Sequence, residues 1–127
     1  MPVTLLYAGL LGLLSVLLAN HVLKVRVNAQ QYPEWKPNAV LRSQANFVEN
    51  VPLALVVLFL LEVSGIGPVA VHCCGVLLVL LRVLHALGLS GNEGANYPRL
   101  IGAQGTFLLL SIMSMLAVLR SLSALLS

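Results

Sequence analysis

Charged side chains are scarce in this chain. Seven Lys and Arg and four Asp and Glu residues make up only 9% of 127 residues, whereas a soluble domain usually has about 25%. So little polar surface excludes a water-soluble globule, and a hydrophobic content of 59% predicts an integral membrane protein. The net charge of +3 is too small and too scattered for a nucleic-acid partner.

Cysteine is almost absent as well. Cys73 and Cys74 are adjacent in an apolar run, where neighbouring cysteines rarely bridge each other and two ligands alone seldom hold a metal ion. We interpret them as small packing residues and predict no metal site. The N-terminal stretch also lacks the positive charges of a secretory signal, so we expect it to be a retained first span.

Long hydrophobic runs are what the chain has in abundance. A membrane span takes about 20 mostly apolar residues, and connectors with glycine and proline separate four such runs. The sequence therefore predicts an all-α fold, a single four-helix transmembrane domain over residues 1–127. The spans are expected at about 3–25, 39–63, 68–89 and 98–126. Close helix packing is expected at small residues in spans one and four, namely Gly9, Gly12, Gly102 and Gly105.

Positive charges are concentrated on alternate connectors. The first connector and its flanks carry Lys24, Arg26 and Lys36, and the third is bracketed by Arg82 and Arg99. The second connector has neither Lys nor Arg. Because cytoplasmic loops are enriched in these residues, we expect connectors one and three to face the cytoplasm and both termini to face the other side.

Polar side chains lie within span two, where lipid would exclude them. Arg42, Asn46 and Glu49 have the spacing i, i+4, i+7, which places them on one helical face. At about 1.5 Å per residue, Glu49 would lie on the order of 10–15 Å inside the bilayer, where an ionised carboxylate needs a partner. Span three ends on the same side with Arg82 and His85, also on one face.

Arg99 begins span four at the same level. Three arginines against one glutamate leave two positive charges over, which suits an anionic ligand. The structural alternative is a network in which Glu49 pairs with one arginine and Asn46 bonds to backbone. Lipid headgroups are one candidate ligand. A peptide with several carboxylates and an ammonium, such as glutathione, is another, because a guanidinium group binds carboxylates in a bidentate fork.

These residues resemble the pattern of a known family. The run RSQANFVENVP, which contains Arg42, Asn46 and Glu49, resembles the second-helix signature of the MAPEG family, the membrane-associated proteins in eicosanoid and glutathione metabolism. The run RVLH resembles a third-helix motif of the family, and YPR at 97–99 resembles the start of its fourth helix. The likeness covers the whole chain in length, span number and motif order, and the small size suggests a bacterial member.

The resemblance implies a function and an assembly. It implies a homotrimer in the bacterial inner membrane that binds glutathione as a co-substrate between neighbouring subunits. It implies a glutathione-dependent transferase or peroxidase in which Arg99 is catalytic and favours the thiolate, while a lipophilic electrophile arrives from the membrane lipids. The implied glutathione contacts are Arg42, Asn46, Glu49, Arg82 and His85. A first-helix basic contact would come from Lys24 or Arg26, and the sequence does not decide between them.

The chain also departs from the family pattern. Relatives carry a tyrosine at the position of Leu89, and one relative carries an arginine at that of Ala45. Polar and aromatic residues that follow the fourth-helix arginine in some relatives are Leu100, Gly102 and Ala103 here. A site with fewer polar groups supports the alternative of a non-catalytic trimer that binds glutathione or lipid without turnover.

A small proton-coupled transporter is the third hypothesis. Four short helices and a glutamate within the membrane suggest it. Proton coupling needs an isolated carboxylate, however, and Glu49 has potential arginine partners. We therefore rank this hypothesis below the enzyme.

Overall fold

The computed structural model describes residues 1–88 and 97–127. Within these ranges the protein is all-helical and contains no strand, and a 3-10 turn at Ala29–Gln31 follows the first helix. The four long helices are α1 (Thr4–Val27), α2 (Lys36–Val63), α3 (Pro68–Leu87) and α4 (Tyr97–Leu126). Leu89, one of the departures from the family pattern, lies outside the described residues.

Proline marks the first turn of three of these helices. Pro37 is the second residue of α2, Pro68 is the first of α3 and Pro98 is the second of α4. A proline is tolerated there because the first helical N–H groups have no intrahelical acceptor. Pro37 lies in this first turn, and α2 begins at Lys36, three residues before the start of the second span that is expected at about residue 39.

All four helices are long and apolar enough to cross a membrane. The shortest, α3, has 20 residues, which span about 30 Å and match the hydrocarbon core of a bilayer. Large apolar side chains cover the outside: Leu13, Leu80 and Leu108 are each exposed over 60% or more of their surface. Such an outer surface suits lipid as the solvent and not water.

The described residues form two apolar clusters in the interior. All four helices contribute to the larger one, in which Leu11, Leu58, Leu78 and Met113 are almost fully buried. Glycines permit the closest contacts. A Cβ atom on Gly102 would lie 2.6 Å from the His85 Cβ atom and 2.7 Å from the carbonyl oxygen of Leu81. The helices α3 and α4 are therefore in backbone contact beside the predicted site residues.

Polar contacts fix the end of the bundle at which α1 begins. The carboxylate of Glu62 accepts hydrogen bonds from the backbone N–H groups of Val3 and Thr4 and from the hydroxyl of Thr4. Because the first N–H groups of a helix lack intrahelical acceptors, the end of α2 thereby caps the start of α1. Arg120 of α4 donates from Nε to the Ser64 hydroxyl at 2.9 Å. This hydrogen bond connects α4 to the second connector.

Candidate functional site

A groove of about 640 Å³ opens at the opposite end, between the beginnings of α2 and α4 and the last turn of α3. This volume is typical of sites for small molecules. Its α2 side is polar, whereas Leu100 and Ala103 of α4 form an apolar wall. The described residues that line it are Glu34, Trp35, Asn38, Ala39, Arg42, Ser43, Asn46, His85, Arg99, Leu100 and Ala103.

A polar layer lies directly behind this groove. The Nη1 group of Arg82 donates to Oδ1 of Asn46 at 2.8 Å and to the hydroxyl oxygen of Thr106 at 3.4 Å. The Thr106 hydroxyl in turn donates to the carbonyl of Gly102 at 2.6 Å. The guanidinium carbon also lies 5.4 Å from the centre of the Phe47 ring. Arg82 therefore links α2, α3 and α4 at one level of the bundle.

The imidazole of His85 is held in a second contact. Its Nδ1 atom lies 3.1 Å from the hydroxyl oxygen of Ser43, and both residues are buried. Gly102 presses against Cα and Cβ of His85 from the side of α4. The ring is thus held by Ser43 of α2 and the base of the side chain packs against α4, while His85 still lines the groove.

The six residues predicted for the site fall into three positions. Arg42, Asn46, His85 and Arg99 line the groove. Arg82 is only 1% exposed and lies one layer behind them, in contact with Asn46. Glu49 is exposed on the outer surface of α2 and is not among the described residues that line the groove.

The separation of Glu49 from Asn46 follows from helical geometry. At 100° per residue, positions i and i+7 differ by about 20°, whereas i+3 lies about 60° away from i. Arg42 and Glu49 consequently share an exposed face, and Asn46 turns towards α3. Within the described part of the chain, Glu49 has no hydrogen-bond or ion-pair partner, so the structural alternative in which it pairs with an arginine is not seen there.

Comparison with known proteins agrees with the pattern of these residues. The MAPEG family model matches residues 4–119. The chain belongs to the MAPEG family. Two similar proteins, each described as "Inner membrane protein YecN", come from Escherichia coli strain K12 and from Escherichia coli O6:H1. Each is 30% identical over 90 residues, which cover 68% of this chain and 69% of the relative. No solved structure matches the chain significantly.

Two of the positions at which the chain departs from the MAPEG pattern, Leu100 and Ala103, line the groove. Leu100 and Ala103 supply its apolar wall, and Gly102 is buried against His85. Ala45 is exposed on α2. The Leu100 and Ala103 side chains offer no hydrogen bond, so the polar groups that line the groove come from the first connector, from α2 and α3, and from Arg99 of α4.

Sequence patterns did not point to several residues of this MAPEG site. Ser43 adjoins Arg42 and looks like any small residue of a helix, yet it contacts His85. Glu34 and Trp35 precede α2 in the first connector and line the mouth of the groove. Among the described residues, no three His, Cys, Asp or Glu side chains are close enough to hold a metal ion.

Proposed function

We propose that this MAPEG protein is a glutathione-dependent transferase or peroxidase that acts on lipophilic electrophiles. The family is one of membrane proteins in glutathione and eicosanoid metabolism. The observation that carries the proposal is the groove at which Arg42, Asn46, His85 and Arg99 meet. Two guanidinium groups, an amide and an imidazole suit a peptide with several carboxylates.

Glutathione would be bound from the α2 side. Arg42 is exposed at the groove and can bind a carboxylate through two parallel hydrogen bonds. Asn46 and His85 have shorter side chains and offer further polar groups beside it. The ammonium group needs a carboxylate, and Glu34 lines the same groove. Within a single chain Glu49 points away from the groove. It would therefore contact the ligand of an adjacent copy, if glutathione lies between two copies.

Arg99 would supply the chemistry by favouring the thiolate. A nearby cation stabilises the anionic form of a thiol, and each unit of lowered pKa corresponds to about 1.36 kcal/mol. The thiol proton leaves to water and the thiolate, which is the nucleophile, forms a bond from sulfur to the electrophilic carbon while the leaving group departs with its electrons. In the peroxidase reaction two glutathione molecules become a disulfide, and a peroxide becomes an alcohol and water.

A homotrimer would complete the site. Glu49 lies halfway along the 28 residues of α2 and is exposed on a single chain. An ionised side chain that faces lipid at such a depth costs about 2.5–3.5 kcal/mol even on insertion-based scales. We propose that a second copy covers this face. We also propose that the protein lies in the bacterial inner membrane, which the name of the Escherichia coli relatives supports. The distribution of Lys and Arg supports first and third connectors that face the cytoplasm.

The test uses purified protein, glutathione and an electrophilic aromatic halide. Wild-type protein is expected to form the conjugate and to show thiolate absorbance on glutathione binding. Arg99→Gln should bind glutathione but lose most turnover, whereas Arg42→Gln should weaken binding about ten-fold or more, as for a lost hydrogen bond to a charged group. Absence of both thiolate and conjugate in a folded trimer would contradict the enzyme. Bound glutathione without turnover would favour the non-catalytic alternative.

One observation favours a proton-coupled transporter as the second candidate. Among the described residues Glu49 has no arginine partner, so it meets the requirement for an isolated carboxylate. The discriminating measurement is substrate-driven proton flux in liposomes, with Glu49→Gln as the matched variant. Flux that disappears in this variant would support the transporter, and equal background flux in both would count against it.

A further inference from the structure

Arg82 is a buried cation whose described partners are all neutral. It is 1% exposed, and it contacts an amide oxygen, a hydroxyl and an aromatic ring. Its Nε group is buried and has no hydrogen-bond partner among the described residues. Burying a charge without an anionic partner is costly, so stability alone is a poor reason to retain an arginine here.

The contact with Asn46 fixes the direction of an amide. Arginine carries donors only, so the Asn46 carbonyl must be the group that faces Nη1 of Arg82. The distance of 2.8 Å is that of a strong charge-assisted bond. The NH₂ group of the same amide therefore cannot face Arg82. Because Asn46 also lines the groove, its two N–H donors are the groups left for a ligand.

We propose that Arg82 is a positioning residue that acts on the ligand through Asn46 and makes this amide a dedicated donor. This inference rests on the proposed function, and it assigns to Arg82 an indirect role in place of direct contact with glutathione. The Asn46 amide would then select a carboxylate or carbonyl oxygen of the peptide. It would disfavour an ammonium group at that point, since the carbonyl of this amide is directed to Arg82 and its N–H donors are left for the ligand.

A double-mutant cycle separates this role from direct binding. Asn46→Ala, Arg82→Met and the double variant are prepared as trimers, and glutathione affinity is measured by titration calorimetry. Each single change should weaken binding about ten-fold or more. If Arg82 acts through Asn46, Arg82→Met should add no more than about two-fold in the Asn46→Ala background. Losses that multiply in the double variant would overturn the inference.

Thr106→Val is the matched control for a purely structural role. It removes the other hydrogen-bond acceptor of Arg82, on α4, and preserves the pair with Asn46. Thr106 is not among the described residues that line the groove. Affinity within about two-fold of wild type is expected. A ten-fold loss in this variant would show that the whole polar layer matters and not the orientation of Asn46.

Asn46→Asp tests the inference even if Arg82→Met does not fold. The carboxylate keeps the bond to Arg82 as an ion pair and has no N–H donor. We expect an unchanged or higher melting temperature together with at least a ten-fold loss of glutathione affinity. Wild-type affinity in this variant would refute the inference alone. A wild-type protein that binds no glutathione would refute the proposed function and this inference with it.

Discussion

Replacing Gly102 by alanine tests whether the contact between α3 and α4 shapes the groove. The added Cβ atom would lie 2.7 Å from the Leu81 carbonyl oxygen, which is 0.7 Å short of the 3.4 Å at which ordinary contact begins. Two of the three nearest atoms belong to the backbone of α3, so no side-chain rotation relieves the clash. Overpacking of this kind costs about 1–3 kcal/mol, and the gain in helix propensity from alanine returns at most about 1 kcal/mol.

Gly102→Ala should therefore lower the melting temperature in detergent and, because α3 must move at His85, weaken glutathione binding. Gly9→Ala is the matched control, since within the described chain its Cβ would meet nothing within 4 Å and should stabilise the helix by up to about 1 kcal/mol. The two alanine substitutions are thus predicted to change the melting temperature in opposite directions. Equal melting temperatures for both variants, with unchanged glutathione affinity, would refute the assignment of close α3–α4 packing at the site.

Three further outcomes are expected. Ser43→Ala removes the described partner of the buried His85 ring, and it should cost about 1–3 kcal/mol in thermal unfolding and weaken glutathione binding. Glu62→Gln weakens the cap on α1 and should lower the melting temperature, because a neutral amide accepts weaker hydrogen bonds than a carboxylate. Its glutathione affinity should match that of wild type, because Glu62 lies at the other end of the bundle. Raising the salt concentration should weaken glutathione binding measured by calorimetry, since Arg42 is exposed and such charges are screened; salt-independent affinity would contradict an ionic contact there.

Hydropathy and helix punctuation predicted the four helices because both signals are local. A run of about 20 apolar residues has few alternatives to a membrane helix, and Pro68 and Pro98 lie in the first turn of α3 and α4, where the third and fourth spans were expected to begin. The glycines of spans one and four predicted close helix packing correctly at some positions and not at others. Gly102 packs against α3 as expected, but Gly9 has open space within the described chain, because glycine content does not say which face of a helix meets a neighbour.

The sequence predicted which helical turns contribute to the candidate site, but it did not predict which side chains contact each other there. The spacing of Arg42, Asn46 and Glu49 placed them on one face of α2. In the structure Arg42 and Asn46 line the groove, whereas Glu49 is exposed outside it. The contact of Ser43 with His85 joins positions 42 residues apart in sequence, so it depends on tertiary packing alone. The same holds for Arg82, which was expected in the groove and lies behind Asn46.

A structure of the purified protein determined by electron cryomicroscopy with saturating glutathione would test the central claim most directly. We predict density for the tripeptide in the groove, with a carboxylate at Arg42, the sulfur beside Arg99, and Glu49 of an adjacent copy near the ligand. An empty groove, or a lipid headgroup that remains there in the presence of saturating glutathione, would contradict the account.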